Sequence, residues 1–157
     1  ERNGYDIAVQ LDGDGQHDAA DLPLLIGRVA SGEADCCIGS RFLQKTSYRS
    51  TVMRRAGIYF FSWMIRWMVG QKVTDPTSGF RAVNRNAIRL FARYYPHDYP
   101  EVEAIVLLAR RGFRISETPV FMRVRQSGKS SITPLRSLYY MLKVSLAVMM
   151  TRIRSAS

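Results

Sequence analysis

Asp12 and Asp14 stand two residues apart in the run Asp12-Gly13-Asp14-Gly15-Gln16-His17-Asp18, directly after a stretch of alternating apolar residues. Two carboxylates at that spacing, at the C-terminal end of a strand, can reach one hard divalent cation, and Gln16 can add a carbonyl oxygen. An all-oxygen set suits Mg²⁺ or Mn²⁺. Such an ion can hold a diphosphate and neutralise it as a leaving group. A calcium EF-hand does not fit, because its sixth position falls on His17 rather than Gly and its twelfth on Pro23 rather than Glu. An acidic turn is also a common form of solvated loop. His17 reads equally as a plain loop histidine or as a group supporting the acids.

The other candidates are charged groups in loops. Arg41 follows the apolar run at Cys36 to Ile38, and Arg125 precedes a glycine-containing loop that carries Lys129. A guanidinium suits bidentate phosphate binding, although any one of these arginines is more simply a solubilising charge. Asp75 lies in the turn Asp75-Pro76-Thr77-Ser78-Gly79, and Glu101 and Glu103 open a helix. Each carboxylate can stabilise its turn or helix start, or act as a general base toward a hydroxyl acceptor. A phosphate acceptor, already ionised at neutral pH, needs no strong base.

The elements that must position these groups follow from periodicity. Tyr5, Ile7, Val9 and Leu11 alternate with polar or small residues and predict a strand, closed by a sharp glycine-permitted loop at Gly13 and Gly15. Asp18 or Asp21 can cap a helix bearing Leu22, Leu25, Ile26 and Val29, stopped by Gly32. A short buried strand, Cys36 to Ile38, precedes a polar loop. A helix over 52–69 carries Phe60, Phe61, Trp63, Met64, Ile65, Trp67 and Met68, interrupted by Arg54, Arg55 and Arg66. It is too apolar all round for an ordinary surface helix. A strand at Phe80 to Val83, a helix capped by Asn84 and running to Tyr94, and a helix from Glu101 to Gly112 come next. Extended structure from Phe113 to Val124, broken by Pro119, leads to a polar loop over 126–133 and a last helix over 134–154. Strands alternating with helices make the class α/β.

The 157 residues suffice for one domain with a buried core, and 46% hydrophobic residues argue against a disordered chain. A net charge of +10 points to nucleic acid, or to anionic phosphates and lipid headgroups. No zinc-finger or RNP-like pattern occurs, so the phosphate and lipid reading is favoured and no nucleic-acid partner is expected. Cys36 and Cys37, the only cysteines, are adjacent. They read as packed thiols in a reduced protein, with neither a disulfide framework nor a zinc site. No signal segment opens the chain. No apolar run reaches the roughly 20 residues of a membrane span; the longest, Ser137 to Met150, carries Lys143.

Five ordered stretches together resemble the family 2 glycosyltransferases, in particular the dolichol-phosphate mannosyltransferase-like and bacterial polyprenyl-phosphate glycosyltransferase branch. They are Asp12-Gly13-Asp14-Gly15-Gln16-His17, Gly39-Ser40-Arg41-Phe42, Asp75-Pro76-Thr77-Ser78-Gly79-Phe80-Arg81, Glu117-Thr118-Pro119-Val120 and Arg125-Gln126-Ser127-Gly128-Lys129-Ser130-Ser131. The resemblance implies a GT-A-type α/β fold, a Rossmann-like mixed sheet with flanking helices. That fold is expected to be incomplete at its N-terminus, since the family's Pro-x-x-Asn-Glu-like base-binding stretch does not precede Glu1. Residues 1–133 would form the C-terminal catalytic portion of the domain, and 134–157 an amphipathic, membrane-interfacial helix.

By the same resemblance, Asp12, Asp14 and Gln16 are the metal and donor-diphosphate ligands, and Arg41 and Arg125 contact phosphates of donor and acceptor. Gly79, Arg81 and Lys129 belong to the donor and phosphate site, as does Arg55, which with Arg54 as the alternative corresponds to a basic residue of the acceptor-side helix. Asp14, Asp75, Glu101 and Arg125 form the reaction centre. The implied reaction is an inverting transfer of a sugar from a UDP- or GDP-sugar to a polyprenyl- or dolichyl-phosphate-type lipid, with Mg²⁺ or Mn²⁺. It would take place peripherally at the cytoplasmic face of an anionic membrane, with a homo-oligomer or a membrane-protein partner left open. Two rivals stand beside it. One is a transferase acting on a hydroxyl of a cell-surface polysaccharide. The other is a non-catalytic basic module binding membranes or nucleic acid.

Overall fold

A computed structural model describes residues 4–13, 15–43, 52–95 and 100–122, together with residues 143 and 146. In chain order its elements are β1 (Ile7–Gln10), α1 (Leu22–Ala30), β2 (Cys36–Ser40), α2 (Val52–Val69), β3 (Arg81–Asn84), α3 (Arg85–Tyr94), α4 (Pro100–Arg110) and β4 (Ile115–Pro119). The four strands form one sheet in the order β1-β3-β2-β4. β2 and β4 are parallel, while β3 runs antiparallel to both β1 and β2. The expected α/β class and mixed sheet are therefore observed.

Helices cover both faces because the strands are apolar on both. Cys36 and Ile38 point to the side where Phe61, Met64 and Ile65 of α2 meet Val102, Ile105 and Leu108 of α4. Cys37, between them, points to the other side and packs with Leu25 and Val29 of α1 and with Phe80, Ala82 and Val120. The adjacent cysteines thus face opposite layers as buried free thiols. Burial pushes Cys36 up to about 12 and raises Cys37 as well, so both stay protonated at neutral pH.

β1 is shorter than its alternation predicts. Tyr5 and Leu11, at the two ends of the pattern, lie outside the strand and are exposed. Asp18 accepts a hydrogen bond from the Ala20 amide at 3.1 Å and caps a single 3₁₀ turn before α1. Asp21, the other capping candidate, instead accepts from the Phe121 amide at 3.0 Å and ties α1 to the chain leaving β4. Asn84 caps α3 as expected, accepting from the Ala87 amide at 2.9 Å.

α2 separates its apolar residues by kind. Ile58, Phe61, Met64 and Ile65 are buried, whereas Tyr59, Phe60, Trp63 and Trp67 are exposed. The two indoles, one helical turn apart, stack with planes 9° apart. Among the described residues no helix is long and apolar enough to cross a membrane. Of the expected terminal helix, Lys143 and Leu146 are helical, and the rest lies outside the described residues.

Asp35 joins three strands at the sheet edge away from the acidic loop. Its carboxylate accepts from the Arg114 amide at 2.8 Å and from Asn84 Nδ2 at 2.7 Å, and its carbonyl accepts from the Asn84 amide at 2.9 Å. Burial raises the Asp35 pKa, but hydrogen bonds and charge from Arg114, with Asn84, outweigh it and hold the group below the usual carboxylate range. A depressed carboxyl contributes stability above its unfolded pKa, and that contribution is lost as pH falls through the folded value. Asp35→Ala is expected to cost about 2 kcal/mol at neutral pH. The difference from the parent should shrink below about pH 4, as read by urea denaturation across pH.

Candidate functional site

β1, β2 and β4 share one direction and β3 opposes them. The C-terminal ends of three strands and the start of β3 therefore lie along one edge, the edge where open α/β sheets bind ligands. The loop after β1, the Ser40-Arg41 exit of β2, the turn at 75–79 and the chain leaving β4 all arrive there. The antiparallel β3 is what places the 75–79 turn beside Asp12.

Asp12 lies just beyond β1 with its side chain 51% exposed. Gly79 crosses directly over it: a Cβ built on Gly79 would stand 2.5 Å from Asp12 Oδ1 and 2.9 Å from Oδ2. Only glycine lets the turn pass this close to the carboxylate. On the other side, His17 Nε2 is 3.7 Å from Asp12 Oδ2, and the His17 side chain is 2% exposed. Its ring lies against Phe80 at 4.8 Å between centroids, and its backbone forms an antiparallel bridge with Met122. Gln16 is partly buried beside it. Asp14 lies outside the described residues. Among those described, no group of three His, Cys, Asp or Glu is placed to hold a metal. Asp12 and Gln16 offer oxygens only, and His17 is the one ion-pair partner of Asp12 within 4 Å among the described residues. A half-exposed carboxylate without a lysine or arginine against it is compatible with a hard divalent ion.

A second, fully enclosed group sits behind. Arg41 is 3% exposed and Asp75 0%. Arg41 Nε and Nη2 donate to the two Asp75 oxygens at 2.6 Å each, and the Arg41 amide adds a third bond at 3.1 Å. Arg41 Nη2 also donates to Thr77 Oγ1 at 3.0 Å. The paired fork is the strongest form of such an interaction. Glu117 of β4 holds the same turn from below, accepting from the Thr74 and Asp75 amides at 2.8 and 2.9 Å and from Thr74 Oγ1 at 3.0 Å. Burial pushes the Glu117 carboxyl up further than these bonds pull it down, and the Asp75 charge pushes the same way. A carboxyl raised in the folded state takes up its proton more readily there. What Glu117 contributes is thus fully present below its unfolded pKa and declines as pH rises through the folded value.

Ser78 Oγ donates to the Gly39 carbonyl at 2.7 Å, fastening the turn to β2. Arg81 is 2% exposed; its Nη2 donates to the Ser78 carbonyl at 2.8 Å and its Nη1 to the Glu101 carbonyl at 3.3 Å. It joins the turn to the first turn of α4, where Glu101 and Glu103 are partly buried.

Of the sequence candidates, Asp12, Gln16, Gly79, Arg81, Arg41, Asp75 and Glu101 are thus gathered around one edge. Arg41 and Asp75, expected to meet a phosphate and to act at the reaction centre, face each other. Arg55 is exposed on α2, and no hydrogen bond or ion pair joins it to the others among the described residues. Arg125 and Lys129 lie outside the described residues. Sequence reasoning assigned no role to Glu117, Thr74 or Ser78. Glu117 lies in one of the ordered stretches, but nothing in its spacing reveals a carboxylate aimed at two amides of a distant turn.

No family model matches the chain. Several curated proteins are similar to it, among them the following three. An undecaprenyl-phosphate mannosyltransferase of Micrococcus luteus is 31% identical over 137 residues, 83% of this chain and 54% of that protein. A polyprenol monophosphomannose synthase of Mycolicibacterium smegmatis is 28% identical over 148 residues, 92% of this chain and 56% of the relative. A UDP-N-acetylglucosamine–dolichyl-phosphate N-acetylglucosaminyltransferase of Methanococcus voltae is 27% identical over 120 residues, 74% and 48% respectively. The chain spans about half the length of these relatives. The crystal structure of glucosyl-3-phosphoglycerate synthase from Mycobacterium tuberculosis superposes with a TM-score of 0.63 at 19% identity, over 94% of this chain and 49% of that one. That likeness is one of fold.

Proposed function

We propose, from the premise that this chain is a homologue of the family 2, dolichol-phosphate-type glycosyltransferases and has part of their GT-A fold, that it carries the catalytic half of such an enzyme. The reaction is transfer of a sugar from a UDP- or GDP-sugar to a polyprenyl-phosphate-type lipid, with inversion. The observation that supports this reading best is the half-exposed Asp12 carboxylate, seated under Gly79 at the ligand-binding edge of the sheet.

Asp12, Asp14 and Gln16 would hold Mg²⁺ or Mn²⁺. When bound, the ion supplies positive charge to the departing nucleoside diphosphate. The chain's own residues do the positioning. The Arg41–Asp75 fork and Glu117 fix the 75–79 turn. Gly79 of that turn borders the Asp12 oxygens on one side and leaves the exposed side chain free to turn toward an arriving ion. Arg125 and Lys129, on the segment that β4 leads into, would orient the acceptor phosphate as they do by resemblance. That acceptor needs no general base, which agrees with an Asp75 buried in an ion pair.

The exposed aromatics of α2, flanked by the exposed Arg55 and Arg66, suit a shallow place in an anionic lipid interface beside the acceptor. The test uses the full-length protein with UDP- and GDP-sugars and polyprenyl phosphate in anionic vesicles. Sugar is expected to appear in the lipid extract, stopped by EDTA and restored by Mn²⁺. Transfer to oligosaccharide hydroxyls instead, with none to lipid phosphate, overturns the acceptor assignment. Turnover unaffected by EDTA overturns the metal.

A further inference from the structure

His17 is the least explained side chain near the site. It is 2% exposed, and neither Nδ1 nor Nε2 has a hydrogen-bond partner among the described residues. Buried polar groups are nearly always satisfied, and one that is not calls for a reason in an absent ion, an absent ligand or a strained resting state. The surroundings limit the choice. One ring face lies against Phe80, and the backbone is pinned to Met122. The ring cannot swing out to water without breaking that packing. The acceptor it faces is Asp12 Oδ2 at 3.7 Å, just beyond hydrogen-bonding distance, on a side chain that is 51% exposed and can rotate. The enclosed group is fixed and the exposed one is mobile, so the gap closes from the Asp12 side.

Resting on the metal reading above, we infer that His17 is a positioning residue, which acts through Asp12 by donating its Nε2–H to the carboxylate oxygen that the cation leaves free. It is too enclosed to be a ligand itself. A neutral imidazole with its proton on Nε2 suffices. Gly79 and His17 then confine Asp12 from two sides, one by close backbone approach and the other by a directed bond. Because the His17 backbone bridges to Met122, the same contact links the acidic loop to the chain leaving β4.

Groups that hold a ligating carboxylate in place typically matter by about 10- to 100-fold in metal affinity. Mn²⁺ binding to the full-length protein, in the presence of UDP or GDP, can be followed by the EPR signal of free Mn²⁺. His17→Phe keeps the ring against Phe80 and removes both nitrogens; it is expected to weaken Mn²⁺ by about 10- to 100-fold without lowering the urea midpoint. His17→Gln keeps an N–H and is expected to recover most of that loss. If the Phe variant does not fold, His17→Leu takes its place in the comparison with Gln. Wild-type Mn²⁺ affinity in a folded His17→Phe or His17→Leu protein overturns the inference alone, as does a folded Gln variant no better than the apolar one. A parent protein that binds no Mn²⁺ overturns the metal reading and this inference with it.

Discussion

Asp75→Ala is expected to lower the stability of the full-length protein by about 3–5 kcal/mol, the cost of leaving a buried charge without its partner. Arg41 is 3% exposed and receives a countercharge from Asp75 through the paired fork. Typical domains have only about 5–15 kcal/mol in hand, so the variant should accumulate poorly and show a large fall in its urea midpoint. The loss belongs to the orphaned cation rather than to the missing bond. The double variant Arg41→Met/Asp75→Leu should therefore be more stable than Asp75→Ala, since a well-packed apolar replacement of a buried pair is often tolerated. Loss below about 1 kcal/mol in the single variant, within the range of an exposed pair, would show that the fork is not enclosed as described.

Gly79→Ala should behave in the opposite way, with an intact fold and a disabled site. The added methyl would meet the Asp12 carboxylate at 2.5 Å. The obstructing atoms are the tip of a half-exposed side chain, so Asp12 can turn aside, and stability should change by less than about 1 kcal/mol. On the metal reading proposed above, turning aside removes one oxygen donor from the cation. Metal stabilisation of a leaving group is worth several kcal/mol, and each 1.36 kcal/mol is about tenfold in rate. Metal-dependent turnover should thus fall on the order of 1,000-fold, close to the effect of Asp12→Ala or Asp14→Ala. Single-turnover transfer at saturating donor, measured beside the urea midpoint, separates site from fold. A Gly79→Ala enzyme of full activity would mean that Asp12 does not need its present place.

Together these variants divide the site into a rigid base and an exposed working surface. The base is the pairing of Arg41 with Asp75, clamped by Glu117 and stitched by Ser78 and Arg81 to β2 and α4. The working surface is Asp12 with its loop. A site of this kind holds the charged group that must meet the ligand on elements whose own rotamers are already fixed.

Local chemistry in the chain carries much of this. The alternation around Ile7 and Val9, the cap at Asn84, the stop at Gly32 and the apolar face of α1 each need only neighbours within a few residues, and each is found where periodicity puts it. The spacing of Asp12, Asp14 and Gln16 likewise proposes a cation without any knowledge of the rest. Other features have no local signature. Nothing near Arg41 or Asp75 states that they are partners, because 34 residues separate them. An arginine bound for a phosphate and one bound for a buried carboxylate look alike in sequence. The length of β1 was set by pairing with β3, which leaves Tyr5 and Leu11 exposed despite their place in the pattern. The aromatics of α2 were legible as excess apolarity, but which of them turn outward depended on where α4 packs.

What the sequence by itself determined is therefore the set of elements over the described residues, the α/β class and the chemical types present near one sheet edge, carboxylates and arginines. What only the tertiary structure decided is their assignment. An antiparallel β3 brings the 75–79 turn to the edge where β1 and β2 end, presses Gly79 onto Asp12, and encloses Arg41 with Asp75. The physical reason is that propensity and capping act over a single turn or strand. Burial and charge pairing are settled by contacts between segments far apart in the chain, and these exist only once the sheet has formed.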